Sequence, residues 1–159
     1  MTNKILVSLS LIFLGNFSFA QSFNLASSDF KIGDLYVPDP KIFFDLADWT
    51  IRPESYSQLD SIAAFLKKHN HLIVEIGVHT DSRVSDEYGM RLDHKRAEST
   101  LEYLMSKGVD SDQVVAKGYG KSELIISDKE ISGLHDAKEK EYAHSVNRRT
   151  EFKIIEITK

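Results

Sequence analysis

Apolar residues recur along this chain with two different periods. Leu59, Ile62, Ala63 and Leu66 fall at i, i+3, i+4 and i+7, the stripe of one helix face. Ile51-Arg52-Pro53-Glu54 opens that helix, with proline in a first turn where its missing N–H costs nothing. Lys67, Lys68 and Asn70 close it. Leu72, Val74, Ile76 and Val78 then alternate, which predicts a strand running to His79. A second helix is predicted from about Ser85 to Ser106, with a core stripe of Ala97, Leu101, Leu104 and Met105 and with Gly108 just past its end. Residues 113–120 read as a third strand broken by glycines, and Thr150, Phe152 and Ile154 as one face of a last one. Upstream, Lys41-Ile42-Phe43-Phe44 reads as a buried strand ending at Asp45, set off by Pro38-Asp39-Pro40. The charged stretch 129–144 has helical tendency but no apolar stripe, which predicts a solvated loop or a short helix.

Short strands alternating with two helices predict an α/β fold, an α+β sandwich with its helices on one face of a mixed parallel and antiparallel sheet. No internal repeat or low-complexity segment interrupts it. Three stretches are expected. Residues 1–20 read as a cleaved export signal: Lys4, then an apolar run to Leu14, then Ser18-Phe19-Ala20 before Gln21. Interrupted by Ser8, Ser10 and Gly15, the run falls short of the roughly 20 apolar residues of a membrane span. Residues 21–37 form a lead-in with an edge strand around Leu35-Tyr36-Val37, and residues 38–159 the domain proper. The expected location is therefore the periplasm, associated with the outer membrane or free.

Charge and composition narrow the classes. A net charge of −4 argues against nucleic acid, which needs a clustered basic surface. There is no cysteine, hence no disulfide framework, thiol nucleophile or lipid-modified N-terminal cysteine. The chain is long enough to hold one real core by packing alone.

Several separated motifs occur in order. They are Phe44-Asp45-Leu46-Ala47-Asp48-Trp49-Thr50-Ile51-Arg52-Pro53, Gly77-Val78-His79-Thr80-Asp81, Tyr88 through Arg96-Ala97, Leu104 through Val109, Ala116 through Gly120, and Asn147-Arg148-Arg149-Thr150-Glu151-Phe152. Together, over residues 40 to 157, they resemble the OmpA-like C-terminal domain family. The resemblance implies a βαβαβ-β topology and a non-catalytic, cofactor-free module that binds peptidoglycan and anchors envelope components to the wall. It implies that Asp81 and Arg96 grip the diaminopimelate of the stem peptide, with Thr80, Asp45, Asn147, Arg148 and Arg149 lining the same groove. The chemistry suits the ligand. Free diaminopimelate carries an ammonium beside a carboxylate; a carboxylate takes the first and a guanidinium grips the second with two bonds. Arg148 and Arg149 point to opposite faces if strand-like, so only one easily reaches a ligand. Three positions depart from the pattern: Gly89 for asparagine, Asp93 for serine, and Ala47 for an acidic or amide residue.

Other readings stand beside this one. Asp81 suits a helix cap or a turn, and Arg96 suits a surface pair with Asp93 or Glu98. His79, Asp81, Asp93 and His94 are metal-ligand types, but no His-Glu-x-x-His occurs and their spacing puts no set on one face, so no metal is expected. Asp45 and Asp48 could be an acid pair for glycan cleavage, without a spacing that selects it. No Gly-x-Ser-x-Gly elbow is present, so no enzyme activity is expected. Gly89 and Ala47 also fit an interaction or assembly domain that keeps the fold and has lost wall binding. Three arrangements stay open: acting alone, as a homodimer, or docked on an outer-membrane or other envelope protein.

Overall fold

The computed structural model describes residues 22–158, so the export-signal expectation lies outside the described residues. Four strands form one sheet in the order β1-β4-β2-β3: β1 (Leu35–Tyr36), β2 (Leu72–His79), β3 (Val114–Gly120) and β4 (Arg149–Ile157). β2 pairs in parallel with β3 and antiparallel with β4, and β1 closes the other edge antiparallel to β4. The mixed sheet and the edge strand near Leu35 are those the pattern predicts.

Two helices, α1 (Tyr56–Lys68) and α2 (Asp86–Ser106), share a core with one face of the sheet. Leu59, Ile62, Ala63 and Leu66 of α1 are at most 2% exposed, as their spacing requires. They pack with Leu72, Val74, Ile76 and Val78 of β2 and Phe152 and Ile154 of β4. On α2 the stripe turns out differently. Ala97 and Leu104 are fully buried, but Met105 is 41% exposed and Leu92, Asp93 and Thr100 turn inward. Met105 lies one step of about 100° past Leu104, which takes it off the buried face. The approach of α2 to β3 depends on Gly118, where a Cβ would stand 2.3 Å from the His94 backbone nitrogen.

The stretch 41–44 is not a sheet strand. Phe44 makes an isolated bridge to Ile51, Arg52 N–H donates to the Phe43 carbonyl (3.0 Å) and Asp45 N–H to the Thr50 carbonyl (3.0 Å). Ser55 Oγ accepts from Phe43 N–H at 2.7 Å and ties this loop to the start of α1. Ile42 and Ile51 are buried all the same. Periodicity reports burial, and an extended loop seated on a core satisfies it as well as a paired strand. The lead-in also joins the core: Phe23 stacks on Phe65 and meets Phe30 edge-on, with centroids 5.6 and 5.8 Å apart. The charged stretch after β3 forms two short helices, α3 (Asp128–Gly133) and α4 (Ala137–Asn147), solvated apart from Ile131, Ala143 and Asn147.

Candidate functional site

His79 at the end of β2 pairs with both Gly120 and Arg149. The loop after β2, the 121–148 connection and the head of β4 therefore meet along one rim of the sheet. Asp81 lies in that loop, 4% exposed. Its Oδ1 accepts from Arg83 backbone N–H (3.0 Å) and Nε (3.1 Å). Its Oδ2 accepts from Arg83 Nη2 (2.6 Å) and Arg148 Nη1 (2.5 Å). Both arginines reach on to Glu141 of α4, at 2.8 and 2.7 Å. Burial works to raise the Asp81 carboxyl, but the Arg83 and Arg148 bonds outweigh it and hold Asp81 well below the usual carboxylate range.

Beside this cluster runs a groove of about 290 Å³. Its polar lining comes from Lys41, Asp45, His79, Arg96, Ser145, Arg148, Arg149 and Thr150, and Phe43, Phe44 and Val78 supply part of the apolar wall. Arg96 is fixed by the 44–48 loop. Its Nε donates to the Asp48 carbonyl (2.9 Å), Nη2 to the Asp45 carbonyl (3.3 Å), and the guanidinium lies over the Phe44 ring at 5.2 Å. The nearest carboxylate oxygen, on Asp93, is 4.0 Å away. Burial lowers the Arg96 pKa while Asp93 opposes it. Lys41 Nζ donates to the Ser145 carbonyl and to the Arg148 carbonyl at 3.1 Å. Burial and then the charges of Arg148 and Arg149 lower its pKa.

The predicted site residues thus divide. Arg96, Asp45, Arg148 and Arg149 line the groove. Asp81 sits behind it, one guanidinium away through Arg148. Arg148 and Arg149 do diverge: Arg149 Nε goes to Glu151 (2.8 Å) and its Nη1 to the Glu123 carbonyl (3.1 Å). Thr80 is buried against α2. Asn147 is fully buried, its Oδ1 accepting from Ile125 and Ile126 N–H and its Nδ2 donating to the Ile126 carbonyl. That amide fastens the 121–148 connection rather than facing the groove.

Lys41, Arg83 and Glu141 belong to the site and were not singled out from the sequence. The Asp81-x-Arg83 spacing is a legible signal, since aspartate accepts from the backbone N–H two residues on. Nothing local marks Lys41 or Glu141.

Asp93 is a second buried carboxyl. It faces the Thr80 hydroxyl and the Thr80 and Gly120 amides, yet none of these contacts reaches hydrogen-bond geometry. Burial pushes it up to about 7, against Arg96. The four groups of the metal reading are dispersed. His79 stacks on Tyr119 (4.5 Å) and faces Glu151 on the sheet side away from the helices, while His94 pairs with Glu98 on the surface. Among the described residues, no group of three or more His, Asp and Glu side chains is placed to hold a metal ion, and no helix is long and apolar enough to cross a membrane.

The OmpA family profile matches residues 43–137. A peptidoglycan-associated lipoprotein of Buchnera aphidicola is 35% identical over 109 residues, 69% of this chain and 57% of that protein. Outer membrane protein A of Bordetella avium is 33% identical over 114 residues, 71% of this chain and 53% of that protein. The chain thus spans little more than half the length of these curated relatives. Among solved structures, the peptidoglycan-associated lipoprotein of Burkholderia pseudomallei is similar at 25% identity and TM-score 0.56, over 72% of this chain and 87% of that one.

Proposed function

The chain belongs to the OmpA family, and from that premise we propose that it is a non-catalytic periplasmic module that binds peptidoglycan by the free end of the diaminopimelate side chain. In this reading residues 1–20 are removed on export, and residues 38–159, with the lead-in packed against them, hold the wall for an envelope partner. Two relatives named above are peptidoglycan-associated by name and a third is an outer-membrane protein.

The observation that carries the reading is the charge layout of the groove. Arg96 and Lys41 border it with no carboxylate closer than 4.0 Å among the described residues, and Asp81 stands ionised at its back. A ligand ending in an ammonium and carboxylates would set the anions on Arg96 and Lys41. Its ammonium would take an Asp81 oxygen from Arg148, which keeps Glu141 as a partner. Half-buried cations short of counter-charge, as Arg96 and Lys41 are, gain more from an anion than exposed ones, because solvent screens them less.

Co-sedimentation with purified sacculi tests this. The wild type pellets with the wall, and folded Asp81→Ala and Arg96→Ala variants stay in the supernatant. A folded wild type that remains soluble beside sacculi rules the reading out.

One observation favours a second reading, an assembly domain without wall binding: both Asp81 oxygens are already held by Arg83 and Arg148. Recovery of a bound envelope protein without sacculus binding would select it.

A further inference from the structure

A second cleft, of about 250 Å³, lies across the 45–49 loop from the groove, lined by Ala47, Trp49, Tyr88, Arg91, Leu92 and Lys95. Trp49 is 49% and Tyr88 40% exposed, and neither belongs to the core. The fold therefore does not use these two rings. One loop serves both cavities: Asp45 and Leu46 border the groove, and Ala47 and Trp49 border the cleft. Asp48 fastens it between them. Its carbonyl takes Arg96 Nε (2.9 Å), and its Oδ1 takes Trp49 N–H (2.6 Å), Thr50 N–H (2.9 Å) and the Thr50 hydroxyl (2.9 Å). Bonds from Thr50 hold the Asp48 carboxyl below its ordinary range, so the clamp stays charged and the backbone that carries Trp49 is fixed before any ligand arrives.

We propose that this cleft is a sugar subsite, which takes one N-acetylated hexosamine ring of the glycan strand whose stem peptide lies in the neighbouring groove. The proposal rests on the wall-binding reading and extends it from the peptide to the glycan. The cleft is smaller than the ~300–1,000 Å³ of ordinary ligand pockets, which is the scale of a single ring. A half-exposed indole lining a cleft offers flat apolar surface for the C–H face of a pyranose, with an N–H at its edge for a ring substituent. Arg91 and Lys95, one turn apart on α2, supply donors for acetamido and lactyl oxygens. Their present partners, Glu87 at 3.3 Å and Glu98 at 2.8 Å, are exposed helix neighbours whose pairing is weak and exchangeable. A purely apolar occupant would leave those cations unused. A glycan carrying a peptide on its lactyl group joins a ring covalently to a charged peptide, and here the two sites share one loop.

The chain has a single tryptophan, so its fluorescence comes from this cleft, and the stem peptide without sugar measures what the neighbouring groove adds to it. The purified protein is titrated with a soluble muropeptide, with the stem peptide lacking sugar, and with chitotriose. The muropeptide and chitotriose are expected to shift Trp49 emission saturably, and the stem peptide to bind by calorimetry with little shift. Trp49→Leu and Tyr88→Leu are expected to lower muropeptide affinity at least fivefold and leave stem-peptide affinity unchanged. Two variants, each checked by thermal unfolding, guard against a local folding defect in either.

Equal muropeptide and stem-peptide affinities in the wild type, unaffected by both variants, would overturn the subsite and leave wall binding standing. Failure of both ligands to bind would remove the wall-binding reading and the subsite together. A blue shift that grows with protein concentration alone would assign the cleft to a second copy of this chain, and so overturn the proposal.

Discussion

Arg83 and Arg148 converge on one oxygen of Asp81, at 2.6 and 2.5 Å, from positions two and sixty-seven residues away in the chain. The carboxylate best suited to an incoming ammonium is thus already paired, and Glu141 stands ready to keep either arginine that lets go. Under the proposed wall-binding function, a ligand ammonium would therefore enter by exchange of partners at this rim.

The pairing has a stability consequence. A carboxyl held below its ordinary value stabilises the fold above that value, and the contribution is lost as pH falls through the folded-state pKa. Asp81→Asn is expected to lower stability at pH 7 by about 1–2 kcal/mol, a figure reduced because both arginines are partly exposed. In urea unfolding, the gap between the two proteins should close below pH 4.

Asp93 has the opposite sign. Its folded carboxyl is pushed up to about 7 from an ordinary 3.8, so it costs nothing at low pH and becomes a penalty as pH rises between those values. Asp93→Asn is expected to gain on the wild type across that window by up to a few kcal/mol, on the order of 1.4 per unit of pKa. Unfolding curves at pH 4, 5.5 and 8 measure it, and a constant gap across the series would contradict it.

Ala47 sits at φ +54, a left-handed conformation that glycine adopts freely and alanine only at a cost of about 1–2 kcal/mol. Ala47→Gly should raise stability by about 0.5–1 kcal/mol, since relief of the strain exceeds the added chain entropy. Thermal unfolding gives the answer directly.

Gly118→Ala should cost at least about 2 kcal/mol, because the new methyl would meet the α2 backbone, which cannot rotate aside as a side chain could. The same change at Gly133, where nothing lies within 4 Å, is the control and should be close to neutral. Chemical denaturation of both variants compares them.

Lys41→Met is expected to weaken binding of a stem peptide with free carboxylates by about tenfold, the scale of one hydrogen bond to a charged group. Binding of the same peptide with amidated carboxylates should change little. Calorimetry on the two peptides separates this from general loosening of α4, whose final carbonyls Lys41 also holds.

The sequence by itself determined α1, β2 and β4 by their regular apolar spacing. It marked α2 by a partial stripe ending at Gly108 and β3 as a short run broken by glycines, and with them a mixed sheet under two helices. Spacing decides which residues lie on one face, and burying that face is the largest favourable contribution to folding. Its ordered motifs also pointed to Arg96, Asp45, Arg148 and Arg149, which line one groove. Tertiary structure decided the rest. It made 41–44 a loop instead of a sheet strand, its backbone bonding to residues 50–52 just ahead of α1. It turned Asn147 inward as a backbone fastener and brought Lys41, Arg83 and Glu141 to the rim. Ion pairs and long-range hydrogen bonds of this kind carry no period along the chain. They exist only once the packed core has brought distant segments close enough for donor and acceptor atoms to meet at about 3 Å.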